Sequence, residues 1–101
     1  MTIKIQPTDG KGTPPGKLAD AELHFNDGPL EGLKLIGFSI WERKTGSGRN
    51  VTFPARSYAV NGERRSYAML RPMADSTAQT RLRDQILEAY AELTGTLEAT
   101  A

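Results

Sequence analysis

Polar and apolar residues alternate along the first two-thirds of this chain and then recur at helical spacing, and that change of period divides it. Ile3 and Ile5 flank Lys4 in a short alternating segment. The following TDGKGTPPGK is too rich in glycine and proline for a strand or a helix and reads as a loop, so the fold proper is expected from about Leu18. In LADAELHFND, Ala19, Ala21, Leu23 and Phe25 fall on one side and Asp20, Glu22 and His24 on the other, the pattern of a half-buried strand with His24 on its wet side. A turn signal, Asn26-Asp27-Gly28-Pro29, precedes LKLIGFSIWE. This second run predicts a central strand from Leu33 to Trp41, with Ile36, Phe38 and Ile40 alternating and Gly37 marking a bulge or a close backbone approach. Trp41, at its polar end, is expected to cap the core or to offer a ring face for stacking.

Asn61-Gly62 lies between two β-prone runs, the strongest short-range signal for a hairpin. Two registers are open. A two-residue turn sets Tyr58 opposite Arg65, whereas a bulge at Gly62 sets Tyr58 opposite Glu63 and Arg56 opposite Arg65. Both sort the side chains alike, because successive residues of a strand point to opposite faces. One face takes Arg56, Tyr58, Arg65 and Tyr67. The other takes Val51, Phe53, Ala55, Ala68 and Leu70 and is expected to meet a helix-covered core, with Arg64 breaking the pattern near the turn, where it can reach past the sheet edge to solvent. Past Pro72, Ser76 and Gln79 form a capping box, and Leu82, Ile86, Ala89, Tyr90 and Leu93 recur at helical spacing. The helix is expected from Thr77 to Leu93, with Gly95 marking its end and Tyr90 in the core. The whole reads as a single α+β domain over residues 1–95, a small antiparallel sheet with a C-terminal helix packed on it, followed by a flexible tail, 96–101.

Composition narrows the chemistry. With 38% hydrophobic and 25% charged residues, the chain describes one small globular domain with one modest core, for which pairing with a second copy is a natural remedy. A homodimer is therefore expected. The absence of cysteine excludes disulfides and thiolate metal sites, and one histidine cannot make a histidine cluster, so no cofactor or metal is expected. No apolar run approaches the ~20 residues that cross a bilayer, and MTIKIQPTDG lacks the apolar stretch of a signal peptide. A cytoplasmic protein without membrane contact is expected. Carboxylates such as Asp20, Glu22 and Glu63 are scattered singly, which points away from an enzyme and from a small-molecule substrate.

The net charge of +1 hides a segregation of sign. From Arg43 to Arg83, nine basic residues stand against only Glu63 and Asp75, while the remainder of the chain is acidic. Such a division predicts one positive face and a polyanionic partner, unless the charges merely solvate the sheet. Gly46 and Gly48 do not complete a phosphate-binding GxxxxGK[ST] pattern, but Arg43, Lys44 and Arg49 around them either follow a phosphate backbone as a loose basic arm or belong to a disordered hairpin turn. Arg81 and Arg83 stand in the first turns of the helix, against the preference of its dipole. Arginine supplies phosphate contacts and stacking planes, and tyrosine supplies rings for unstacked bases, although arginine and tyrosine on neighbouring strands also stabilise a bare antiparallel sheet through cation–π and packing contacts. The candidate nucleic-acid-binding set is thus Arg43, Lys44, Arg49, Arg56, Tyr58, Arg65, Tyr67, Arg71, Arg81 and Arg83. The competing reading is a protein-interaction module that docks a partner chain along its hairpin or a sheet edge.

The order of these features resembles the stage V sporulation protein G family (SpoVG, septation protein), small bacterial nucleic-acid-binding regulators. The resemblance covers Lys17 to Leu93, through LADAELHFND, LKLIGFSIWE, NVTFPAR, NGERRSYAMLRPM and TRLRDQILEAYAEL. Val51, Phe53, Pro54, Ala55 and Arg56 fit the family's V-x-M-P-S-R/K segment. Asn61, Gly62, Glu63 and Arg65 fit its aspartate-glycine-glutamate turn with a following arginine, Arg71 and Pro72 its histidine-proline pair, and Ile86, Leu87 and Tyr90 its helix. The chain departs from the pattern where Arg71 replaces the histidine, where Ser57 follows Arg56, and in its longer loop after Trp41 and proline-rich N-terminal loop. The resemblance implies an antiparallel sheet with a C-terminal helix, a homodimer, and binding to DNA and sometimes RNA in gene regulation.

Overall fold

A computed structural model of the chain describes residues 1–8, 12–43 and 48–94. The elements are β1 (Thr2–Pro7), β2 (Lys17–His24), a 3-10 turn (Gly28–Leu30), β3 (Lys34–Glu42), β4 (Arg49–Thr52), β5 (Ala55–Val60), β6 (Glu63–Ala68) and α1 (Thr77–Thr94). The first four strands form an antiparallel sheet in the order β1-β2-β3-β4, and β5 and β6 form a separate two-stranded sheet. This is the α+β architecture with a single C-terminal helix that the pattern predicts. Gly95, expected to stop the helix, and the expected tail lie outside the described residues.

The core lies between one face of the four-stranded sheet and α1. Strict alternation in β2 buries Ala19, Ala21 and Leu23, and the small alanines leave room for Phe38, Ile40, Val51, Ile86 and Tyr90. Tyr90 is thus a core residue, as its place in the apolar stripe predicts. The N-terminal segment is more than a prelude. Each residue of β1 from Thr2 to Pro7 pairs with β2, and Ile3 and Ile5 pack against the core, so the fold begins at Thr2 rather than near Leu18. The start of α1 is closed by Asp75, whose carboxylate accepts the Thr77 N–H at 2.9 Å, one residue ahead of the expected cap at Ser76. The Thr77 hydroxyl and then its N–H hold the Asp75 carboxyl below the usual aspartate range.

Two places depart from simple alternation. Ala21 pairs with Phe38 but Leu23 with Leu35, so β3 spends an extra residue around Gly37, whose φ is +108°. The bulge turns Ile36 away from the core, leaving it 59% exposed, and Leu35 packs inward in its place. The expected inward run of Ile36, Phe38 and Ile40 is corrected accordingly. Trp41 also leaves the core: it follows the buried Ile40 and projects from the opposite face, where its indole N–H donates to Thr52 Oγ1 at 2.8 Å.

The second departure sets the hairpin apart. Val51 is buried in β4, but Pro54 has no N–H to continue a ladder and restricts Phe53 before it. The sheet ends there. Pro54 is itself buried, and a Cβ on Gly37 would lie 2.9 Å from Pro54 Cβ, so the bulge glycine makes the space in which the proline sits. The Pro54 carbonyl accepts the Met69 N–H at 2.9 Å, closing the root of the hairpin over this contact. Phe53 meets Phe38 edge to face at 5.2 Å. Beyond the root, each residue of β5 and β6 is exposed. The expected continuous core face from Val51 to Leu70 is therefore divided: Val51, Phe53 and Leu70 meet the core, while Ala55 and Ala68 face solvent.

Candidate nucleic-acid interface

Asn61 and Gly62 both have left-handed backbones, φ +52° and +81°, as a two-residue type I′ turn requires. Of the two registers open to the sequence, this selects the one without a bulge: Val60 pairs with Glu63, Tyr58 with Arg65, and Arg56 with Tyr67. Directly opposed residues share a face, so Arg56, Tyr58, Arg65 and Tyr67 stand together on one exposed side. The opposite side carries Ala55, Ser57, Ala59, Arg64, Ser66 and Ala68. Arg64 is a basic residue that the candidate set omits. It lies on the face expected to meet the core, and that whole face is open, so Arg64 reaches solvent without having to pass the sheet edge.

The bulky face is internally ordered. The rings of Tyr58 and Tyr67, diagonal neighbours across the ladder, lie 5.7 Å apart at 57°. Arg71 arches back over Tyr67 with its guanidinium 5.7 Å from the ring centre, and its Nε donates to the Ala68 carbonyl at 2.7 Å. Arg65 reaches along its own strand to Glu63 Oε2 at 3.2 Å. Among the described residues, no carboxylate lies within ion-pair distance of Arg56 or Arg64. The hairpin therefore offers two unpaired guanidiniums on opposite faces and two more held near a pair of half-exposed rings.

The remaining candidates disperse. Arg49 pairs with Glu42 at the end of β4 and turns to the helix side, its guanidinium 5.0 Å from the Tyr90 ring, half-buried against the core. It belongs to the packing of α1 on the sheet. Arg43 is exposed beside the β3–β4 loop, where its N–H meets the Gly48 carbonyl at 3.3 Å; Lys44 and Gly46 lie outside the described residues. Arg81 is exposed and Arg83 half-buried. Two residues apart on a helix is about 200° of rotation, so these two arginines flank the Leu82 stripe on opposite sides and do not form one patch. What joins hairpin and helix is an apolar crevice of about 140 Å³ lined by Phe53, Leu70, Arg71, Pro72, Gln79 and Leu82, with Arg71 the candidate residue it shares with the start of the helix.

The outer face of the large sheet is polar and self-paired. His24 Nε2 lies 2.9 Å from Glu22 Oε1, and Lys34 Nζ lies 3.4 Å from the same oxygen. The hydrogen bond with His24 chiefly holds the Glu22 carboxyl below its ordinary value of 4.5, with the Lys34 charge adding to it against the cost of burial. Lys17 meets Asp20 at 2.8 Å. His24 thus sits on the wet side, as the alternation predicts, engaged with a carboxylate. Among the described residues no helix is long and apolar enough to cross a membrane.

Fold and site together define an α+β domain that carries a basic, aromatic hairpin outside its core. Comparison with protein-family models, with curated proteins and with solved structures gave no match to this chain.

Proposed function

We propose that the chain is a non-enzymatic nucleic-acid-binding regulatory protein that works as a homodimer in the cytoplasm, with the β5–β6 hairpin as its contact surface. The observation that carries the reading is the hairpin's independence from the core. A sheet that packs nothing beneath it gains little from burial, yet this one concentrates Arg56, Tyr58, Arg65 and Tyr67 on a single exposed face and draws Arg71 up to it. Guanidiniums bind phosphate oxygens, and backbone N–H groups on the free strand edges can do the same. The resemblance to the SpoVG family supports the dimer, the choice of DNA or RNA as ligand and a role in gene regulation. Fluorescence anisotropy of labelled DNA and RNA oligonucleotides, titrated at several salt concentrations, tests it. Each phosphate neutralised should contribute about −0.9 to the slope of log K against log salt on duplex DNA, giving a slope of roughly −3 to −5 per protomer. Affinity that does not fall as salt rises would refute phosphate contact.

A second reading has its own observation. Among the described residues, the outer edges of β5 and β6 and one edge of β4 pair with no strand, so a partner strand can add to any of them. Capture of one protein partner with little sensitivity to salt, and no oligonucleotide binding, would favour it.

A further inference from the structure

We propose that the β5–β6 hairpin enters the major groove of B-form duplex DNA, with the Arg56, Tyr58, Arg65 and Tyr67 face toward the base edges. The inference rests on the nucleic-acid reading above and narrows it to one ligand geometry. Dimensions come first. The hairpin is two strands wide, separate from the large sheet, and six residues long on each side. At about 3.3 Å per residue it extends about 20 Å, with strands about 4.8 Å apart. The B-form major groove, about 12 Å wide and 8.5 Å deep, admits a two-stranded ribbon, whereas the A-form major groove is too narrow and deep for side chains to read. A ribbon packed on the core could not enter a groove, but here, among the described residues, no other strand pairs with the outer edges and every residue of both strands is exposed.

Charge is placed to match. Base edges lie at the groove floor and phosphates along both walls. Arg56 faces the floor without a carboxylate partner among the described residues, and Arg64 leaves the opposite face, from which a long side chain can reach a wall. The guanidinium fork of Arg56 fits the O6 and N7 acceptors of guanine. The tyrosines argue against the alternative of a single strand laid over open rings. Tyr67 already carries the Arg71 guanidinium over its ring and has the Tyr58 ring 5.7 Å away. A base would have to displace these contacts to stack there, so the two rings serve better to stiffen the ribbon than as a platform for unstacked bases.

The test compares one mixed-sequence duplex DNA of about 20 base pairs, long enough to span the hairpin, with its two separated strands and with the corresponding duplex RNA, at one salt concentration. The proposal expects the DNA duplex to bind at least about tenfold more tightly than the others, a discrimination within the range of direct groove readout. Methyl green, a major-groove ligand, should displace the protein, and distamycin, a minor-groove ligand, should not. Arg56→Ala, at an exposed position, should reduce the preference for the DNA duplex without unfolding the protein. Equal binding of all the nucleic acids, preference for a single strand, or displacement by distamycin alone would overturn the groove proposal and leave the nucleic-acid reading standing. Failure to bind any of them would overturn both.

Discussion

Replacing Gly37 with alanine tests how the hairpin is anchored. The backbone there has φ +108°, a conformation side chains rarely adopt, and the added Cβ would stand 2.9 Å from Pro54 Cβ. Holding a non-glycine residue in such a region costs about 1–3 kcal/mol, and overfilling a packed site costs about 1–3 kcal/mol more. The sum, about 2–6 kcal/mol, is a large part of the 5–15 kcal/mol that stabilises a typical domain. Each kcal/mol lowers Tm by about 4–8 °C at this size, so Gly37→Ala should lower it by at least about 8 °C in a thermal melt followed by circular dichroism. Pro54 holds the root of the hairpin through its carbonyl bond to Met69, so oligonucleotide affinity should fall as well, at temperatures where the variant is still folded. Ile36→Ala is the control. Its side chain is turned out by the same bulge, and surface substitutions of this kind change stability by only about 0.5 kcal/mol. A Gly37→Ala variant melting within about 2 °C of wild type would refute the anchoring argument, because no sum of these costs is that small.

Other substitutions separate the arginines by role. Arg49→Ala should lower stability by about 0.5–1 kcal/mol through its lost contact with Tyr90, measurable by urea unfolding, and should change oligonucleotide affinity less than Arg56→Ala does. Arg81→Ala should leave the melting curve nearly unchanged, while Arg83→Ala, half-buried beside the apolar stripe, should lower it; equal curves would contradict their placement on opposite sides of Leu82. The depressed Glu22 carboxyl stabilises the fold above its unfolded value of 4.5, and that contribution is lost as pH falls through the lower folded value. Glu22→Gln should therefore flatten the acid limb of the stability profile below about pH 4.5. An acid limb as steep as that of wild type would remove the His24 and Lys34 contacts from the account.

Where one local period governs an element, the sequence was legible. Alternation through Ala19, Ala21 and Leu23 placed β2 and its buried face, and the recurrence from Leu82 to Tyr90 placed α1. The arginine-tyrosine face was legible for the same reason, since either turn register brings Arg56, Tyr58, Arg65 and Tyr67 together. What escaped depends on contacts between distant residues. The fit of Pro54 against Gly37 detaches the hairpin, and neither residue implies the other in sequence. Gly37 did signal a bulge, but its consequence, Ile36 outside and Leu35 inside, follows from pairing with β2. Arg49 read as part of a basic loop because its charge is visible in sequence, and the ring of Tyr90 that receives it is not its neighbour in the chain. Arg64 breaks the apolar pattern of its strand face in sequence, but that the whole face is open follows only from the hairpin standing off the core.

The central claim is that nucleic acid binds on the hairpin. Backbone amide chemical shifts of the isotope-labelled protein, followed while a duplex DNA oligonucleotide is added, test it most directly. The largest changes are expected at Arg56, Tyr58, Arg64, Arg65 and Tyr67, with Arg71 at the root, while Glu22, His24 and Ser39 on the outer face of the large sheet hold their positions. Changes centred on that outer face or on the β1 edge, with the hairpin amides unmoved at saturation, would contradict the account.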